Sequence, residues 1–402
     1  MNSSAGVSRR DLFRATGARA AALSALSYSS VLGANDRIRL GVVGCGGRGV
    51  HVMETFQKNA TIEVTAVCDV YGARIDRALQ SAPRATGFYD HRKLLDLKEV
   101  DAVLVATPDH WHAPICIDAI NSGRDVYVEK PLTLRREEGP EIVRAARVNQ
   151  RICQVGMQQR SGSLYLQARA EYIQTGKLGK IGMVRTIWHG GPPRPRELPT
   201  TEKPSNLEWA RFLGPVRWRE WNPYQYFDYR RFLDFGGGKI TDFFTHWVDV
   251  VHMFLGQDNP VSAVAAGGIY LAQDGRDAPD TITVLLEYPG GFTVSFESGA
   301  GAAMPEYGIQ FCGTQGSLFI NRGRFEYRSG EKGEPPVIVK NQVEQTIEHV
   351  NNFIECCRTR QLPNCDVYIG HRSAQASHLG VTAYVEKRRI RFDPDREIVL
   401  PS

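Results

Sequence analysis

Ile38-Arg39-Leu40-Gly41-Val42-Val43-Gly44-Cys45-Gly46-Gly47-Arg48-Gly49 is the stretch that decides how the remainder of this 402-residue chain is read. Its first half is a short apolar run rich in β-branched residues, the pattern of a buried strand. Its second half is G-x-G-x-x-G. Residues 50–58 then read as a helix, and residues 63–68 as a second strand that ends at Asp69. Each glycine has its own physical task in such a unit. Gly44 permits the tight turn out of the strand, Gly46 lets backbone approach a pyrophosphate, and Gly49 lets the helix pack close to the sheet. The helix N-terminus presents free N–H groups to an anion. Asp69, twenty residues past Gly49, falls where a carboxylate can accept both ribose hydroxyls. The stretch therefore predicts a nucleotide-binding βαβ unit, with Gly44, Gly46, Gly47, Arg48, Gly49 and Asp69 against the cofactor.

Outward from this unit, strand and helix continue to alternate. Residues 100–106 read as a buried strand running into Thr107-Pro108-Asp109-His110-Trp111-His112, and residues 113–122 as a helix. Residues 125–128 form the next strand, ending at Glu129-Lys130-Pro131. A helix over 135–149 and a strand over 152–156 follow. Continuous apolar strands separated by helices specify a parallel sheet covered on both faces. Ligands sit at the carboxyl ends of such strands, which places Thr107, His110, His112, Glu129 and Lys130 toward the cofactor.

The character changes after residue 157. A helix (163–175) and a strand (182–189) precede a Pro- and aromatic-rich segment, 192–235. After one more helix the chain is strand-like over 261–271, 281–288, 292–298, 307–312, 317–321 and 324–327, and it finishes on two amphipathic helices, 343–358 and 372–388. The alternation and the glycine-containing connections predict an open, mostly antiparallel sheet. The expected architecture is α/β. A doubly wound parallel Rossmann domain spans 36–157, and a C-terminal α/β domain for substrate binding and oligomerisation spans 158–402.

Composition narrows the function. Hydrophobic content of 42% and charged content of 23% are ordinary for a globular chain. A net charge of +5, without basic runs interleaved with aromatics, argues against nucleic acid. The eight cysteines are scattered and contain no C-x-x-C pair, which argues against a disulfide framework or a zinc–thiolate site. At the N-terminus, Ser8-Arg9-Arg10-Asp11-Leu12-Phe13-Arg14 followed by an Ala/Leu/Ser-rich stretch to Ala34 resembles a twin-arginine export leader, an address outside the fold. The expectation is a leader over residues 1–35 and a periplasmic protein, or a cytoplasmic one if the leader does not function. No later apolar run is long enough to span a bilayer.

The fingerprint at Gly44–Gly49, Glu129-Lys130-Pro131, and Gly236-Gly237-Gly238-Lys239-Ile240-Thr241-Asp242-Phe243-Phe244-Thr245-His246 together resemble the Gfo/Idh/MocA oxidoreductase family. The likeness continues through Gly313-Thr314-Gln315-Gly316 and His349-Val350-Asn351-Asn352-Phe353. The resemblance implies a Rossmann domain, an α/β domain whose open sheet often mediates oligomerisation, and NAD(P)-linked chemistry on a sugar or polyol hydroxyl. By position it places the active-site lysine on Lys130 and the Asp-x-x-x-His pair on Asp242 and His246. The residues support this independently. Asp242 and His246 share a helix face, a histidine can take a hydroxyl proton, and a nearby lysine favours the developing alkoxide. Asp242 would fix the imidazole or bind a substrate hydroxyl. NAD is expected rather than NADP, because Asp69 would repel a 2′-phosphate and Val70 and Tyr71 follow it; Arg74 is the one nearby cation.

Arg160 and Tyr165, just past the first domain, and Arg230 and Arg231, just before the glycine run, are candidates to line a sugar site. A rival reading of the helix makes Asp242, His246, Asp249 and His252 a stripe of metal ligands; the resemblance does not call for metal, and none is expected. The sequence thus points to an NAD-dependent oxidoreductase acting on a sugar, polyol or glycoside, as a homo-oligomer. Two further classes stay open: a glycoside hydrolase that uses NAD for transient oxidation and elimination, and a non-catalytic NAD-binding sensor, which would need only the glycine loop.

Overall fold

A computed structural model describes residues 37–191, 197–301 and 303–401; the leader reading lies outside the described residues. Strands β1 (Ile38–Val43), β2 (Ile62–Cys68), β3 (Thr86–Phe88), β4 (Ala102–Val105), β5 (Asp125–Val128) and β6 (Cys153–Val155) form one sheet in the order β3-β2-β1-β4-β5-β6. All its pairs are parallel, so this is the doubly wound Rossmann topology, with its switch point between β1 and β4. The period-two alternation of the strands divides its core in two. Leu40, Val42, Leu104 and Tyr127 pack with Val50, Met53 and Phe56 of the helix Gly47–Gln57. Val43, Val103, Val105 and Val128 pack on the other face with Ile115 and Ala119 of His112–Asn121 and with Ile142 of Gly139–Val148.

Helix Gln345–Thr359, far along the chain, returns to the first of these faces. Its Phe353 meets Phe56 and Tyr127 edge-on, with ring centroids 5.8 Å apart in both pairs. Edge-to-face pairs of buried aromatics add roughly 0.5–1.5 kcal/mol beyond area burial, so the return is a specific dock.

The second sheet comprises β7 (Ile181–Ile187), β8 (Ser262–Gly268), β9 (Thr281–Tyr288), β10 (Phe292–Ser298), β11 (Gly308–Gly313), β12 (Gly316–Ile320), β13 (Arg324–Ser329), β14 (Val337–Lys340), β15 (Ile390–Asp393) and β16 (Ile398–Val399). The order is β14-β13-β12-β11-β7-β10-β9-β8-β15-β16. It is antiparallel except at the β10–β7 pair. Helices Thr245–Leu255 and Val367–Glu386 bury one face with Trp247, Val251, Leu379 and Ala383. The other face leaves Met183 and Val264 exposed.

Several details differ from the sequence reading. Between residues 70 and 99, where it assigns nothing, lie helices Gly72–Ser81 and His91–Leu95 and the edge strand β3; β3 has three residues, two of them exposed, too short for a periodic signal. The last helix starts at Val367, where Asp366 caps it by accepting from Tyr368 N (3.1 Å). The chain ends on β15 and β16 rather than on a helix. No helix among the described residues is long and apolar enough to cross a membrane.

The aromatic segment forms a strap that leaves the second sheet and lies across the first domain. Gly72 N donates to Asn206 O and Glu208 N to Val70 O. Arg211 pairs with Asp90 at 2.7 Å, and Trp111 Nε1 donates to Phe212 O at 2.9 Å. Its own small core comprises Trp209, Phe212, Tyr226, Phe232 and Phe235.

Candidate functional site

The carboxyl ends of β1, β2 and β4 open into a cleft of about 450 Å³, floored by Gly44, Gly46, Gly47 and Asp69 and roofed by Phe212, Tyr226 and Tyr229 of the strap. Gly44 has φ +94°, and a Cβ there would stand 2.6 Å from the Ala106 carbonyl carbon. A Cβ on Gly49 would lie 1.9 Å from Gly44 O. Turn and close approach are thus both real. A Cβ on Gly47 would meet no protein atom within 4 Å, and no side chain caps the helix that starts there. Its first N–H groups and its dipole remain available to a pyrophosphate, so this loop fits NAD.

Asp69 sits at the end of β2 and is buried. It accepts from Cys45 N (2.8 Å) and Tyr71 N (3.0 Å), so it also pins the glycine loop to β2. Burial pushes its carboxyl up, against the pull of Arg74. The Arg74 guanidinium lies 4.0 Å from it and stacks over the Tyr226 ring. The nearby cation is therefore held by an acid and an aromatic face.

Beside the cleft is a smaller pocket of about 190 Å³ containing Lys130, His246, Arg230 and Arg322, and sharing Arg48, Thr107 and Tyr229 with it. Lys130 follows β5. Its ammonium donates to both the Asp242 carboxylate and the Asp242 backbone carbonyl, each at 2.6 Å. Arg230 Nε stands 3.2 Å from the same carboxylate oxygen. Burial alone would raise Asp242, but these two cations hold it at about 2. Asp242 lies in a π-helical turn, Ile240–Phe244, that leads directly into the helix bearing His246, and such turns recur at functional sites. Both cations bind its Oδ1, and no side-chain hydrogen bond joins it to His246, so it orients the lysine and not the imidazole, a correction to one of the two expected roles.

His246 is buried. Its Nε2 accepts from Arg322 Nη2 at 3.2 Å, its Nδ1 has no protein partner, and its ring stacks on Trp188. Burial, then Lys130, Arg322 and Arg48, push the imidazole well below its ordinary range; it is neutral at pH 7. Glu129 binds Arg48 at 2.8 Å. Burial opposes ionisation of Glu129, but Arg48 and Lys130 win and hold it below the usual carboxylate range. Thr107 Oγ1 is buried without a partner on the wall common to both cavities.

Several expected contacts are not made. His110 does not line either cavity: its Nε2 lies 2.7 Å from Phe212 O, which ties the strap to the first domain, and burial pushes it down to about 4. His112 reaches the smaller pocket, but its Nδ1 and Nε2 lie 2.7 and 2.9 Å from the carbonyl oxygens of Pro131 and Thr107, so it braces the two loops. Arg160 is engaged by Asp249 through Nε at 2.8 and 3.0 Å. Tyr165 is fully buried in the second core. Arg231 pairs with Asp228 and Asp274. Arg160, Tyr165 and Arg231 therefore line neither the cleft nor the smaller pocket. The metal stripe is dismantled by the same pairings. Asp249 is taken by Arg160 and Ser373, and His252 Nε2 lies 2.7 Å from the Tyr288 hydroxyl. Among the described residues no three His, Cys, Asp or Glu side chains gather as a metal site.

Sequence reasoning missed Arg322, Tyr229 and Asp109. Arg322 occupies a hairpin turn between β12 and β13, where an arginine reads as exposed. Asp109 is buried behind Arg230 and Lys130. Burial pushes its carboxyl up to about 7; Arg230 and Lys130 oppose the rise, and Asp242 adds to it. A carboxyl whose pKa is raised on folding has no penalty below its unfolded pKa. It destabilises increasingly as pH climbs toward its folded pKa, and fully above it. Asp109→Asn should therefore raise the thermal midpoint at pH 8 and leave it near wild type at pH 4. An equal shift at both values would show that folding leaves the pKa of Asp109 unchanged.

Fold and cleft define an NAD-binding oxidoreductase class. Residues 38–157 match the Gfo/Idh/MocA oxidoreductase family, NAD-binding Rossmann fold, and residues 210–319 match the Gfo/Idh/MocA C-terminal domain; the chain belongs to this family. Among curated proteins it is 32% identical over 211 residues to a glycosyl hydrolase family 109 protein of Shewanella sp. W3-18-1, covering 45% of this chain and 44% of that one. It is 31% identical over 209 residues to an alpha-N-acetylgalactosaminidase of Shewanella oneidensis, covering 44% and 43%. The chain thus spans less than half the length of these relatives. Among solved structures, the WlbA dehydrogenase of Bordetella pertussis, in complex with NADH and UDP-GlcNAcA, superposes with a TM-score of 0.69 at 22% identity, covering 89% of this chain and 99% of that one.

Proposed function

We propose that this chain is an NAD-dependent oxidoreductase that oxidises or reduces a secondary hydroxyl of a sugar, polyol or glycoside. The observation that carries the reading is the meeting of Lys130 and His246 in a small pocket that opens beside the cofactor cleft and shares its Thr107 wall. When bound, NAD supplies the hydride acceptor. The neutral His246 imidazole takes the hydroxyl proton. The Lys130 ammonium, anchored by Asp242, stabilises the alkoxide that forms as the proton leaves. The strap residues above the cleft keep water from the reacting carbon.

A second reading is favoured by the glycosidase relatives: the same site would oxidise a ring carbon transiently. That acidifies the neighbouring C–H, the aglycone leaves by elimination, water adds, and the carbonyl is reduced again. The test is to purify the protein, identify released nucleotide by mass spectrometry, and screen glycosides for both NADH and aglycone. Net NADH supports the dehydrogenase; aglycone without net NADH supports the hydrolase. Bound nucleotide with no turnover of any glycoside, sugar or polyol would leave the sensor reading. From the twin-arginine leader we infer a periplasmic protein, and from the exposed face of the second sheet a homo-oligomer. Cell fractionation and light scattering test these two.

A further inference from the structure

We propose that the substrate carries an anionic group, a ring carboxylate or a phosphate ester, and that Arg322 binds it. This rests on the oxidoreductase reading, since it names the class of molecule taken by the same pocket.

The argument begins with charge. Arg48, Lys130, Arg230 and Arg322 line the pocket with one ionised carboxylate, Glu129; ionised Asp242 and the Asp109 carboxyl, pushed up to about 7, face Lys130 and Arg230 from behind. These carboxyl groups are already engaged, Glu129 by Arg48, and Asp242 and Asp109 by Lys130 and Arg230. Arg322 is the cation left over. Among the described residues no carboxylate lies within 4.0 Å of it; its Nη2 donates to the neutral His246, and its Nε is buried with no partner. A neutral imidazole does not compensate a guanidinium, and a buried cation without a counter-charge is costly. Burial accordingly holds this guanidinium below the ordinary arginine range.

The structure nonetheless holds Arg322 firmly in place. Asn321 Oδ1 accepts from Gly323 N (2.8 Å) and Arg324 N (3.0 Å), which closes the turn that presents it. Asn341 Nδ2 donates to the Arg322 carbonyl at 3.0 Å. The guanidinium lies over the Trp188 ring, 4.9 Å from its centroid. A planar fork held against an aromatic face, with donors unspent and excess positive charge around it, matches two oxygens of a carboxylate or phosphate. The pocket has room for about one sugar ring, so the anionic group belongs to the ring that reacts. Its arrival also serves the chemistry: as Arg322 turns its Nη2 to the anion, the His246 Nε2 lone pair is freed to accept the hydroxyl proton.

The experiment uses the full-length, nucleotide-loaded protein. Calorimetry compares a hexuronic acid, a hexose phosphate and the neutral hexose, and kcat/KM is measured for a nitrophenyl hexuronide against the matching hexoside. A charged hydrogen bond of this kind is worth roughly 10- to 100-fold, so at least one anion should bind that much more tightly than the neutral sugar. Which one binds separates carboxylate from phosphate. Arg322→Gln should erase the preference, and Arg322→Lys should restore part of it. Equal affinity for neutral and anionic sugars, binding of neither anion, or a preference that persists in Arg322→Gln would overturn the proposal. Arg322-dependent anion binding without turnover would keep this site and sink the oxidoreductase reading. Turnover of neutral sugars with no anion preference would do the reverse.

Discussion

His246→Ala and Lys130→Met should each retain nucleotide and lose turnover by roughly 100- to 10,000-fold, the usual worth of a positioned acid–base group. Both side chains line the smaller pocket and not the cofactor cleft, so affinity for NAD should change little while kcat falls. The structure adds a pH signature. Burial and three neighbouring cations push the imidazole well below its ordinary range. In the wild type the acid limb of kcat/KM should accordingly lie well below pH 6.5, because the base stays unprotonated until then, and this limb should be absent from His246→Ala. Lys130→Met has a second consequence. Asp242 loses its closer cation and keeps Arg230 at 3.2 Å, so the carboxylate should become easier to protonate. Near-normal turnover in His246→Ala, measured on whichever substrate the glycoside screen identifies, would remove it from the mechanism.

The purified protein is expected to carry near-stoichiometric nucleotide through desalting and to turn over repeatedly without added NAD. The physical reason is the strap. Residues 206–212 are hydrogen-bonded to Val70, Gly72, Asp90 and Trp111 on the first domain. Phe212, Tyr226 and Tyr229 form the roof of the cleft. Release of a dinucleotide from beneath it requires those contacts to open together, and such openings are slow compared with chemistry in many enzymes. Retention also suits the proposed export: a twin-arginine substrate crosses the membrane folded, into a compartment with little free NAD. The cycle must then close on the same enzyme, through a second substrate or by returning the hydride to the first. Arg9→Lys with Arg10→Lys should leave folded, loaded protein in the cytoplasm. A protein that purifies empty and needs ordinary dehydrogenase concentrations of free NAD would show that the strap opens readily.

The features of this protein governed by local rules are legible in its residues alone. The glycine loop, the β1–helix–β2 unit and the Rossmann sheet follow from strand periodicity and from backbone positions that tolerate no Cβ, as at Gly44 and Gly49. Lys130, Asp242 and His246 were legible because their neighbours in sequence carry a motif. Which polar side chains line the pocket depends instead on long-range packing. Arg160, Arg231 and His110 looked as suitable as Arg230, yet partners on distant segments, Asp249, Asp274 and the Phe212 carbonyl, claim them. Arg322 carries no motif and lies in a hairpin turn, 76 residues from His246. It reaches the pocket because the second sheet folds that turn against the helix bearing the histidine. Charge pairing and burial are pairwise quantities between segments remote in sequence, and no local pattern encodes which arginine is left without an acid.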